Sequence, residues 1–178
     1  MFDPTAFENM RTVMEGLIYD RDLDGDIIVL DRNDLVNSSK LARKYTVTFR
    51  LKNQQNAKVM FELSADLHNL SAELLATKNK KSLIGASIYI HLFLRHKKDT
   101  EIYILLQHTL EDIWGKDMKI IQEVSFYPLD SDDIVHNRIT IDFQRLITEE
   151  QIDDMITMME FMEKTLHSLQ SHDSLLTV

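Results

Sequence analysis

Tyr45-Thr46-Val47-Thr48-Phe49-Arg50-Leu51 alternates apolar and polar side chains along its whole length. A strand sends successive side chains to opposite faces, so this run reads as a strand with one buried face. Val59, Phe61 and Leu63 repeat the pattern after a polar stretch over 52–57. Two such runs around a short loop make a hairpin whose apolar side needs a cover. The cover is written near the end of the chain. Thr148-Glu149-Glu150-Gln151 is a capping box, and Ile147 with Ile152 has the spacing of a hydrophobic staple. Ile152, Met155, Ile156, Met159, Met162, Leu166 and Leu169 then share one helical face. This pairing of hairpin and helix predicts an α+β fold. Its large, mostly antiparallel sheet of about six to eight strands is packed by a long C-terminal helix and one or two shorter helices.

Working outward, Leu67, Leu70 and Leu74 mark a short helix. Asp3-Pro4 starts another, with Asp as cap and Pro at the first helical position. Beyond Met10 the helical stripe weakens and Gly16 interrupts, so 11–20 reads as a strand, with continuation of the helix as the rival. Asp26 to Asp31 is a short strand after the Asp24-Gly25 turn, and 32–44 favours neither state. The segments 83–97 and 101–108 read as a hairpin around Lys98-Asp99-Thr100. In that register Leu94 opposes Ile104 and Leu92 opposes Leu106 on an apolar face. The other face pairs Phe93 with Leu105, His91 with Gln107 and Tyr89 with Thr109. It is too apolar for open water and too polar for a plain core. The segments 118–127 and 138–147 are two more strands, joined by an acidic loop. A curved sheet gripping a long final helix is similar in outline to helix-grip lipid-binding folds, although a hairpin stands here where that pattern places helices. The chain reads as one domain over 1–178, with a coarse echo between strand-rich halves 1–80 and 81–178.

The 178 residues carry 20 Lys and Arg against 29 Asp and Glu, a formal charge of −9. That sign disfavours sequence-nonspecific nucleic-acid binding and adsorption to anionic membranes. No cysteine is present, which excludes disulfide scaffolds, cysteine nucleophiles and thiolate metal sites. Met1-Phe2-Asp3-Pro4 is neither basic nor followed by an apolar run, so no secretory leader is expected, and the cytoplasm is the expected location. Serine-elbow, phosphate-loop and dinucleotide motifs are absent, and four glycines leave little material for phosphate cradles. The balance leans away from an enzyme.

Three binding readings remain. The first is a homodimer that acts through binding, using the mixed face of Tyr89, His91, Phe93, Leu105 and Gln107. A second apolar stripe, Met158 and Phe161, would serve on the last helix. The second is a module for a small hydrophobic ligand, held between sheet and helix near Phe93, Met158 and Phe161. The third is a metal site. Asp20, Asp22, Asp24, Gly25 and Asp26, with Asp31 at the twelfth position, resemble the calcium loop of EF-hand proteins, which implies Ca2+ as ligand. Against it, Asp31 is one carbon shorter than the usual bidentate glutamate, and the flanks read as strands. Solvated acids in a hairpin turn are the plain alternative. Asp130, Asp132 and Asp133 near His136 form a second acidic group without a metal spacing. The basic clusters Lys78-Lys80-Lys81 and Arg95-His96-Lys97-Lys98 read as solvated turns. No cofactor is expected.

Overall fold

A computed structural model describes residues 5–75, 83–129 and 133–172. The fold is α+β: a six-stranded antiparallel sheet with helices packed against it. Helix α1 (Thr5–Asp24) is followed by strands β1 (Ile27–Asn37), β2 (Ala42–Leu51) and β3 (Ala57–Ala65) and by helix α2 (Leu67–Leu75). Then come β4 (Ala86–Lys97), α3 (Thr100–Trp114), β5 (Lys119–Ser125), β6 (Ile134–Ile147) and α4 (Ile152–Gln170). The spatial order is β1-β2-β3-β4-β6-β5. Every neighbouring pair is antiparallel.

The alternation at 45–51 does what it promises. Tyr45, Val47, Phe49 and Leu51 are buried, facing the helices beside Val59, Phe61 and Leu63 of β3. Ile88, Ile90 and Leu92 of β4 and Ile139 and Ile141 of β6 continue that surface. Helix α4 closes it with Met155, Met159, Met162, Leu166 and Leu169. Its capping box at Thr148 and Gln151 is formed, in a short 3-10 turn over Glu149–Gln151 that leads into the helix. Ile156 is 45% exposed and leaves the stripe; Met158 takes its place in the core.

Two expectations are corrected. The segment 11–20 is not a strand but the body of α1. Phe7, Met10, Met14 and Ile18 recur at helical spacing and are all buried. Arg11 bonds Glu8 and Glu15 across successive turns, and Gly16 lies on the outer face with open space around it. The segment 101–108 is likewise α3. Asp99 caps it by accepting from the Glu101 amide, and Ile102, Leu106, Leu110 and Trp114 are buried every fourth residue. The two-residue alternation and the helical stripe both fit those residues, and packing against α4 decided for the stripe. The undecided 32–44 segment is the tip of the β1–β2 hairpin.

Gly85 leads into β4 at φ +136°, and a Cβ there would lie 2.5 Å from the Ile147 carbonyl oxygen. That close approach locks β4 beside the end of β6.

Candidate functional site

The described helices leave one sheet face uncovered, and its residues form rows across the strands. One row runs Thr46, Glu62, Tyr89, Asp142 and Lys119 from β2 to β5. The next runs Thr48, Met60, His91, Thr140 and Ile121. In the third, Ile28 pairs with Arg50, Lys58 with Phe93, Phe93 with Arg138 and Arg138 with Glu123. Arg95, His136 and Ser125 begin a fourth.

Glu62 and His91 form a charged centre in the first two rows. Glu62 takes Lys44 Nζ at 2.7 Å, and His91 Nε2 stands 3.3 Å from its other oxygen. His91 Nδ1 lies 3.0 Å from Thr140 Oγ1 and 3.3 Å from Arg138 Nη2. An arginine only donates, so Nδ1 accepts and the ring proton belongs on Nε2, facing Glu62. That contact is ionic in distance but poorly aligned as a hydrogen bond. Burial pushes the Glu62 carboxyl up, yet His91 and Lys44 outweigh it and hold the group below the ordinary glutamate range. Both ring nitrogens of His91 are thus engaged by neighbours, and the ring is 5% exposed.

One row on, the surface is basic. A concavity of about 810 Å³ is lined by Arg50, Lys58, Phe93, Arg95, His136 and Arg138, among others, and by no carboxylate among the described residues. Lys58 Nζ is 5.3 Å from the Phe93 ring centre and the Arg138 guanidinium 5.9 Å. Arg50 donates to the carbonyls of Leu51, Lys52 and Gln54, which braces the β2–β3 turn. Below the fourth row lies His96, fully buried between the Lys97 carbonyl (2.7 Å) and the Asn137 amide (3.1 Å). Burial lowers its pKa, although the Lys97 carbonyl and Asp99 oppose the shift.

The anticipated site residues fall into separate places. Tyr89, His91 and Phe93 do share the uncovered face, with the Tyr89 and His91 rings stacked at 6.2 Å. Leu105 and Gln107 do not join them. They ride on α3, on the other side of the sheet, where Gln107 bonds Glu111 and approaches Gln122. Met158 is in the core, and Phe161 packs edge-on against Trp114 at 5.5 Å. The sheet therefore separates Phe93 from Met158 and Phe161. Asp20, Asp22 and Asp24 belong to the end of α1 rather than to a loop. Asp22 accepts from the Val29 amide at 3.1 Å and ties the α1–β1 turn, while Asp31 bonds Asn33. Among the described residues no three His, Cys, Asp or Glu side chains, Asp26 included, are grouped to hold a metal. Asp130, Asp132, Lys78, Lys80 and Lys81 lie outside the described residues. No described helix is long and apolar enough to cross a membrane.

Sequence reasoning passed over Arg50, Lys58 and Arg138 as outward polar positions. Their only signal was the phase of each strand, and the register that aligns them is not local. No protein-family model, curated protein or solved structure matches the chain.

Proposed function

We propose that the protein acts by binding, in the cytoplasm, as a homodimer joined along β5. The supporting observation is the edge of the sheet. Strand β5 pairs only with β6 among the described residues, which leaves its second edge open. Open edges are usually blunted, but this one is followed by apolar exposure: Ile121 is 37% exposed, Phe126 55%, Tyr127 66% and Leu129 97%. The strand is also complementary to itself. If two copies pair antiparallel about Ile121, Lys119 of each faces Glu123 of the other, and Ile121 faces its own copy. Both charges are exposed and neither has an ion-pair partner among the described residues. Such a contact is isologous and closes on itself, as a two-fold dimer requires.

This moves the interface from the strand and helix faces expected at first to a strand edge. The absence of cysteine and the acidic composition support the location. The test is a charge swap read by light scattering and sedimentation. Lys119→Glu and Glu123→Lys each create two like-charged cross-strand pairs and weaken the dimer roughly tenfold or more. The double variant restores the pairing. A monomeric wild type, or a double variant no better than the singles, overturns the reading.

A further inference from the structure

Four cations of the uncovered face, three in the third row and one in the fourth, stand close together without an acid among the described residues to compensate them. Arg50, Lys58, Arg95 and Arg138 have no carboxylate within ion-pair distance among the described residues, in a chain whose net charge is −9. By contrast, Arg11, Arg21, Arg32, Arg43, Lys44 and Arg145 all meet acids. The nearest acid in register, Glu123, is the strand neighbour of Arg138 and still makes no ion pair with it. Phe93 takes the place a carboxylate would hold. It positions Lys58 and Arg138 through its ring and leaves their charge unspent.

We infer that this row is a binding site for a small molecule carrying two or more phosphate groups. Size comes first. A concavity of about 810 Å³ lies in the range of small-molecule sites. Spacing comes next. Arg50, Lys58 and Arg138 stand on β2, β3 and β6, with Phe93 on β4 between the last two. Strands are about 4.8 Å apart, so the cations spread over roughly 14 Å at their bases. One phosphate reaches neighbours in such a row, and linked phosphates engage all of it. Guanidinium groups suit phosphate oxygens through paired donors. The surroundings exclude a long polyanion. Glu123 stands at one end of the row, Glu62 and Asp142 lie two rows away, and Asp31 borders the β1 side. A nucleic-acid strand leaving the groove would run into these charges. The site lies within one copy and stands whether or not two copies pair.

The test is calorimetric titration of the whole protein with sodium tripolyphosphate, with orthophosphate, citrate and a short RNA oligomer in parallel. Tripolyphosphate is expected to bind with 1:1 stoichiometry and to raise the melting temperature, and orthophosphate to bind at least about tenfold more weakly. Lys58→Gln and Arg138→Gln are each expected to weaken tripolyphosphate about tenfold. Lys58 is exposed and makes no side-chain hydrogen bond or ion pair among the described residues, so its variant is expected to keep the fold and the wild-type melting temperature without ligand. Absence of binding at about 1 mM tripolyphosphate overturns the inference. So does affinity unchanged in both variants, or tighter binding of citrate or RNA than of tripolyphosphate.

Discussion

Tyr45, Val47 and Phe49 lie under α1 and α4 without solvent exposure, while Thr46, Thr48 and Arg50, one residue along from each, belong to the other face of the same strand. The covered face is a single apolar surface, continuous from α1 to α4. The uncovered face carries Glu62, His91, Lys44 and Arg138 in a bonded group, and beside it a basic concavity lined by no carboxylate among the described residues. One face stabilises the chain by removing apolar area from water. The other sets charged side chains at the spacing of the strands. The pleat makes both from the same six strands, so a change of one residue in phase moves a side chain from one face to the other.

Aromatic truncation separates the faces most widely. Phe61→Ala on the covered face costs about 3–5 kcal/mol in denaturant unfolding, whereas Phe93→Ala on the uncovered face costs less than about 1 kcal/mol. Equal losses would mean that Phe93 is covered after all. Gly85→Ala ranks next. Its Cβ would meet the Ile147 carbonyl at 2.5 Å and at a positive φ, so a loss of about 2 kcal/mol or more is expected by thermal melting. A wild-type melting temperature would refute the close approach.

Glu62 gives the uncovered face a pH signature. Its folded carboxyl titrates below the ordinary range because His91 and Lys44 favour the charged form over the cost of burial. The resulting stability is present above the pH where an unfolded glutamate titrates. It is lost as pH falls through the lower, folded value. Glu62→Gln is therefore expected to cost about 1–2 kcal/mol at neutral pH and less in acid, so the two unfolding curves converge on acidification. A gap that stays constant with pH would sink the assignment. The smallest effect belongs to the covered face. The Tyr45 hydroxyl is buried with no hydrogen-bond partner among the described residues, and burial raises its pKa. Tyr45→Phe is expected to be neutral or stabilising by up to about 1 kcal/mol in the same melts. A clear loss would reveal a bond that the hydroxyl makes.

Much of the covered face was legible in advance. Tyr45 to Leu51, Val59 to Leu63 and the stripe from Met155 to Leu169 have one period each, and the capping box at Thr148 is spelled out. The uncovered face was legible only in part. Tyr89, His91 and Phe93 stood out as a mixed set, but their partners were misassigned to α3, because Ile102-Tyr103-Ile104 suits a strand as well as a helix. The aspartates from Asp20 to Asp26 match a loop pattern, yet Asp20, Asp22 and Asp24 end a helix. A motif read along the chain took no account of α1 running through to Asp24.

By itself the sequence determined the fold class, the phase of β2, β3, β4 and β6 and the last helix with its cap, since these depend on periods and bonds spanning a few residues. Only the tertiary structure decided that 11–20 and 101–108 are helical. Intrinsic preferences there differ by amounts that packing overrides. It alone also set β6 beside β4 and brought Lys58, Phe93 and Arg138 into one row. Strand order and register are hydrogen-bonded choices between residues far apart in the chain, and no local pattern encodes them.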